Sequence, residues 1–272
     1  MAEKPIADLP IPAFEQPPVN EVICGIAFLP LERLLVPHIG LLWEKFRADY
    51  PTCKEADPLV PLVETFESPQ ATPDLAIPFL PRVWFISRDD NAIIQLQRDR
   101  FLHNWRKVRP TDQYPRYNTV RTQFEERLLA FREFITENEL GTISPLQFEM
   151  TYLNHIPIGK GWEKLADVGN VFPDLQWRTS REFLGAPERL TWRTAFPLPN
   201  QTGRLHVSVS SGMRRHDNLA VLVFELTVRG IGADRSLDGL WEWLSVAREW
   251  IVRGFADLTG PEMHKNIWKR TT

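Results

Sequence analysis

Leu146-Gln147-Phe148-Glu149-Met150-Thr151-Tyr152 alternates apolar and polar residues without a break. Strand side chains point to opposite faces in turn, so Leu146, Phe148, Met150 and Tyr152 share one face, and Gln147, Glu149 and Thr151 the other. Such a strand belongs to an antiparallel sheet covered on one side only. Arg189 to Phe196, Arg204 to Ser210 and Leu219 to Arg229 carry the same pattern. After them, Ser236 to Leu258 places Leu237, Leu240, Trp241, Leu244, Ala247, Ile251, Phe255 and Leu258 at helical spacing. That stripe suits a helix lying across the sheet, with Ser236 as N-cap and Thr259-Gly260-Pro261 as its stop. Trp243 falls off the stripe and is expected at the surface. Asn154 and His155 stand where the alternation runs out before Pro157, and read as a capped turn.

Upstream the order of elements is similar. Five prolines make residues 1–18 an extended arm. Asn20 to Phe28 reads as a strand and Leu31 to Tyr50 as a helix kinked or restarted at Pro37. Pro51 to Pro81 holds seven prolines and reads as a surface excursion, with an edge strand at Leu62 to Phe66. Arg82 to Ser87 and Ala92 to Arg98 form a hairpin about Arg88-Asp89-Asp90-Asn91. Thr119 to Glu139 is a second striped helix (Val120, Phe124, Leu128, Phe131, Ile135) with Gly141 suited to its C-cap. A short helix is expected within Gly161 to Gly185.

The expected fold is therefore α+β: one compact domain of two similar halves, 19–141 and 142–272, each with antiparallel strands and a long helix on one face. Joined side by side, the halves make a duplicated, saddle-like sheet. The saddle is a resemblance in element order to the TATA-binding-protein fold, and carries no function with it.

A chain of 272 residues buries about three quarters of its extended surface, enough for a core without staples. A net charge of −3 excludes an overall field toward nucleic acid or membrane. No charged n-region with an apolar h-region stands at the start, and no run nears the ~18 apolar residues of a membrane span. Cys24 sits in an apolar run and Cys53 in a polar one; two reduced thiols of a cytoplasmic protein are the leading reading and a disulfide between them the alternative, with structural zinc nearly excluded. No phosphate loop, His-Glu-x-x-His or Gly-x-Ser-x-Gly motif is present, so no cofactor, metal or catalytic set is expected.

Two constellations remain. Arg98 to Arg121 carries a local charge of +5, seven cations against Asp99 and Asp112. Arg98, Arg100, Trp105, Arg106, Arg109, Arg116 and Tyr117 are its candidate contacts for single-stranded nucleic acid or a nucleotide, through guanidinium forks and ring stacking. The competing explanation, arginine stems over apolar surface and aromatics in the core, weighs more. The second set comes from strand parity: Glu149, Arg193, His206, Glu225 and Arg229, with Thr151, Ser208 and Thr227, share the polar face. They suit a protein or polar-ligand contact; acid–base work by Glu149, His206 and Glu225 is the weaker reading, since nothing sets a nucleophile beside a base. His264, Lys265, Trp268, Lys269 and Arg270 form a basic-aromatic tail that docks on the body or on a partner.

Pro17-Pro18-Val19-Asn20-Glu21-Val22, Gln95-Leu96-Gln97, Asn104-Trp105-Arg106, Tyr114-Pro115-Arg116-Tyr117, Thr151-Tyr152-Leu153-Asn154-His155-Ile156, Arg229-Gly230 and a closing Trp268 occur in this order. On these landmarks the chain resembles a sporadically distributed, uncharacterised prokaryotic protein family of about this length. The resemblance implies a prokaryotic cytoplasmic protein and no activity; patchy distribution suggests a multi-protein or defence-related setting. The expected function is a non-enzymatic binding or adaptor protein working through its polar sheet face, with nucleic-acid binding through residues 98–121 as the alternative.

Overall fold

The computed structural model describes residues 10–60, 62–66, 80–177, 182–214 and 217–272. Among these described residues nine strands form one antiparallel sheet: β1 (Val19–Phe28), β2 (Thr52–Ala56), β3 (Arg82–Ile86), β4 (Ala92–Gln97), β5 (Arg100–Arg106), β6 (Pro145–Pro157), β7 (Thr191–Pro197), β8 (Gly203–Met213) and β9 (Ala220–Gly230). Their spatial order is β2-β3-β4-β5-β1-β6-β9-β8-β7. The helices are α1 (Val36–Phe46), α2 (Tyr117–Glu137), the single turn α3 (Val168–Val171) and α4 (Gly239–Leu258). The chain is thus α+β, and among the described residues no helix is long and apolar enough to cross a membrane.

Parity decides which face the helices cover. In β1, Val22, Cys24 and Ile26 lie opposite Trp105, His103 and Phe101 of β5, and opposite Tyr152, Met150 and Phe148 of β6. Leu226 and Val228 of β9 continue two of these rows. All these side chains are buried. Helix α2 lies over β5 and β1, and α4 over β6 and β9. Phe131 of α2 stacks on Phe101 with ring centres 5.0 Å apart. Gly254 brings α4 close, since a Cβ there would stand 2.8 Å from Leu205 Cδ2.

Several expectations are corrected. Helix α1 starts at Val36, so Pro37 occupies the first turn, where its missing N–H costs nothing and no kink follows. The edge strand is Thr52–Ala56; Leu62 to Phe66 forms no strand. Helix α2 ends at Glu137, and Glu139, with φ 52°, takes the left-handed position expected of Gly141. Arg100–Arg106 is a full strand, and Asn154 and His155 pair within β6 with no turn there. Trp243 is buried against Phe148 and donates to Thr202 O, so the apolar face of α4 is wider than its stripe. Helix α4 begins at Gly239 with Asp238 as its N-cap, so Ser236 is not the cap; its Oγ accepts the Asp238 and Gly239 N–H groups at 3.2 and 3.3 Å in the turn that leads into the helix.

The arm is docked. Glu15 N donates to Lys269 O and Gln16 N to Trp268 O, both at 3.0 Å, and Thr271 N donates to Ala13 O. Phe14 packs on Phe255 and Trp268 between them. Residues 1–9 of the arm, 61 and 67–79 of the proline-rich excursion, and 178–181 lie outside the described residues. Cys24 is buried, Cys53 is exposed, and both are free thiols.

Candidate binding face on the open side of the sheet

Among the described residues no helix lies on the opposite face. The register places Arg193, Ser208, Glu225, Leu153, Glu21 and Arg106 in one row across β7, β8, β9, β6, β1 and β5. The next row runs His206, Thr227, Thr151, Ile23 and Asn104, and a third runs Arg204, Arg229, Glu149 and Gly25. Every residue assigned to the polar face of the second half from strand parity is on this side. Two acids, Glu225 and Glu21, thus stand two strands apart, about 10 Å, with arginines at the ends of their row.

Both acids are held from beneath. Trp84 Nε1 and Arg82 donate to Gln95 Oε1, each at 3.1 Å; Gln95 Nε2 donates to Asn104 Oδ1 at 2.7 Å; and Asn104 Nδ2 donates to Glu21 Oε1 at 2.6 Å. This relay has one polarity, because each amide receives at its oxygen and gives from its nitrogen. Thr227 Oγ1, paired with Thr151 Oγ1 at 2.8 Å, lies 3.2 Å from Glu225 Oε1. Burial raises the Glu21 carboxyl above its usual range, against the Asn104 bond and the Arg106 charge; Glu225 adds to the rise. A cation brought between the two acids would relieve that cost.

Sequence reading missed Glu21, Gln95 and Asn104 as site residues. They belong to three separate landmark stretches, and only the β1–β5–β4 pairing brings them together.

A segment of the proline-rich excursion crosses this face. Gln97 holds Leu59 by both backbone groups, at 2.9 and 3.0 Å, and Gln147 holds Glu64 N and Leu62 O at 2.8 Å each. Glu64, 3 % exposed, accepts from Arg204 at 2.6 Å and lies 2.6 Å from His206 Nε2. Burial opposes ionisation of Glu64, but the His206 and Arg204 bonds outweigh it and hold the carboxyl below its usual range. Arg229 Nε donates to Glu149 Oε2. Glu149 and Glu225 thus have partners on the sheet, Arg229 and Thr227, while His206 pairs with Glu64 of the crossing segment.

The basic segment is divided by the alternation of β5. Trp105, 6 % exposed, faces the helices and packs on Tyr114, so its ring is closed to a base. Tyr117 is buried at the start of α2. Arg100 and Arg106 face the open side, and Arg106 Nε donates to Asp90 O at 2.8 Å. Arg98 lies in the β4–β5 turn and Arg109 in the exposed loop that follows β5. Arg116 donates to Phe14 O and Glu15 O, fastening the arm. These seven residues form no single stacking surface. An open cleft of about 480 Å³ does collect Arg106, Lys107, His155 and Arg214 at the end of the sheet.

Among the described residues no group of histidine, cysteine, aspartate and glutamate side chains could hold a metal ion. Comparison of the chain with protein-family models, curated proteins and solved structures finds no match in any of the three.

Proposed function

We propose that the chain is a non-enzymatic binding or adaptor protein that holds a protein partner on the open face of its sheet. The observation that carries this reading is the row Arg193–Ser208–Glu225–Leu153–Glu21–Arg106, whose central acids are oriented by the amide and threonine networks below. Polar groups set this firmly suit recognition, and the acid pair suits a partner that presents a lysine or arginine. The prokaryotic family resemblance, with a cytoplasmic setting and a multi-protein or defence-related role, belongs to the same proposal.

So does construction from two similar halves. Outward from the central β1–β6 pair the order is β5-β4-β3-β2 on one side and β9-β8-β7 on the other. Each half runs strand, helical crossover, further strands, long helix. That order supports a duplicated, saddle-like sheet.

The test is purification of the tagged chain from its native host, with bound proteins identified by mass spectrometry at low and moderate salt. A stoichiometric partner is expected. A partner-free monomer that turns over a small molecule would overturn the reading. The second reading, single-stranded nucleic-acid or nucleotide binding, rests on the basic cleft and not on stacking. It requires an oligonucleotide affinity that falls steeply with salt and is lost when Arg106, Lys107 and Arg214 become Glu.

A further inference from the structure

Between the arm, the Tyr114–Tyr117 loop, β6 and α4 lies a cavity of about 120 Å³, on the helix-covered side and separate from the open face. Its walls are mostly apolar, with Phe14, Val19, Leu226, Ile251 and Phe255 among them, and none of its lining residues is an acid. Two cations line it, Arg116 and Arg248. Arg116 is committed to Phe14 O and Glu15 O. Arg248 lies over the Tyr117 ring at 4.9 Å and pairs with no carboxylate among the described residues. An uncommitted, half-buried guanidinium beside an apolar cavity asks for one negative charge.

The tyrosines add a donor. Tyr114 and Tyr152 share one hydrogen bond, at 2.9 Å between hydroxyl oxygens. Two hydroxyls in one bond leave one O–H proton without an acceptor among the described residues. Burial pushes the Tyr114 hydroxyl up to about 12 and the Tyr152 hydroxyl well above its usual range, so both stay protonated.

We infer that this cavity binds a small monocarboxylate with an aromatic or short apolar body. Its carboxylate takes the Arg248 fork and the spare tyrosine proton, and its body fills the apolar space lined by Val19, Leu226 and Ile251 beside the Phe14–Phe255 ring pair. One free cation matches one charge, which favours a carboxylate over a dianionic phosphate. The volume is close to the roughly 150 Å³ cavity that admits benzene.

The test is calorimetric titration of the full chain with sodium benzoate and, separately, with benzamide, its neutral counterpart. Benzoate is expected to bind with a Kd near or below about 1 mM, the range open to so small a ligand. Benzamide should bind about tenfold or more weakly, since it lacks the charge. Arg248→Met, which keeps the stem over Tyr117, should weaken benzoate about tenfold or more. Should that variant fail to fold, Arg248→Lys keeps the charge without the fork, and should weaken benzoate severalfold while leaving benzamide unchanged. No benzoate binding at 20-fold the expected Kd, equal binding of the two probes, or full benzoate affinity in the Arg248 variant that folds would overturn the assignment.

Discussion

Leu244→Ala tests whether α4 holds the sheet. Leu244 is fully buried on the face of α4 that lies across β6 and β9. The helix-covered side of β6 and β9 presents the buried Phe148, Met150, Leu226 and Val228, held in register by the sheet, so collapse into the space left behind is limited. Truncation of a leucine in such a setting costs about 3–5 kcal/mol, the transfer of the lost methyls plus the cavity. For 272 residues the unfolding entropy is about 0.6 kcal/mol/K, so the melting temperature should fall by about 5–9 °C. Glu242 lies on the exposed side of the first turn of α4. Glu242→Ala gives up only a favourable charge at a helix start, a few tenths of a kcal/mol, and should shift melting by about 1 °C or less. The assay is calorimetry of both variants beside the parent chain. Equal, small shifts would mean that α4 does not cover the sheet, and the assignment of the open face would fall with it.

Three further outcomes follow from particular contacts. His103 is fully buried beside Tyr50, and burial, with the Arg127 charge, drives its imidazole down to about 3. Between about pH 6.5 and pH 3 the unfolded chain takes up a proton that the folded one refuses, so stability falls as pH falls; in His103→Gln the urea-derived slope over pH 4–6 should be shallower by about 1 kcal/mol per pH unit, and an unchanged slope would refute the assignment. Gln147→Ala removes the clamp on Leu62 and Glu64, at a cost of about 1–3 kcal/mol, and the Glu64 amide should exchange with solvent faster; unchanged exchange would show that the clamp is not what holds the segment. Trp268→Ala takes away a buried ring that packs on both Phe14 and Phe255, about 3–5 kcal/mol, and should strip exchange protection from the Glu15 and Gln16 amides; retained protection would mean that the arm docks without it.

The legible parts of the fold were those whose pattern had one cause. Strands β6, β8 and β9 alternate because one face is apolar core and the other is polar, and α4 announces itself by its stripe. Strand β5 has the same alternation, with Phe101, His103 and Trp105 inward and Arg100, Asn104 and Arg106 outward. There a buried histidine and an outward Leu102 blurred the period, and the arginines drew the reading toward a charged surface segment. Trp243 looked exposed because a helix stripe was drawn narrower than the face that two sheet strands and the Thr202 turn cover. The docking of the arm on the C-terminal segment, and of Leu59 to Glu64 on the sheet, rests on contacts between residues far apart in sequence, which no local period records. For the candidate face, parity placed Glu149, Arg193, His206, Glu225 and Arg229 on one side. Glu21 escaped because β1 is apolar on both faces except at that position and Asn20.

The most direct measurement of the central claim is partner capture by a chain whose open face has lost its charge and kept its shape. In Glu21→Gln with Glu225→Gln, both side chains keep their size and their donors from Asn104 and Thr227. Arg132→Glu, on the exposed side of α2, serves as the control on the opposite face. With both variants folded by circular dichroism, the account predicts that the double variant loses the partner about tenfold or more while the α2 variant retains it in full. Equal recovery by the double variant and the parent chain would contradict it.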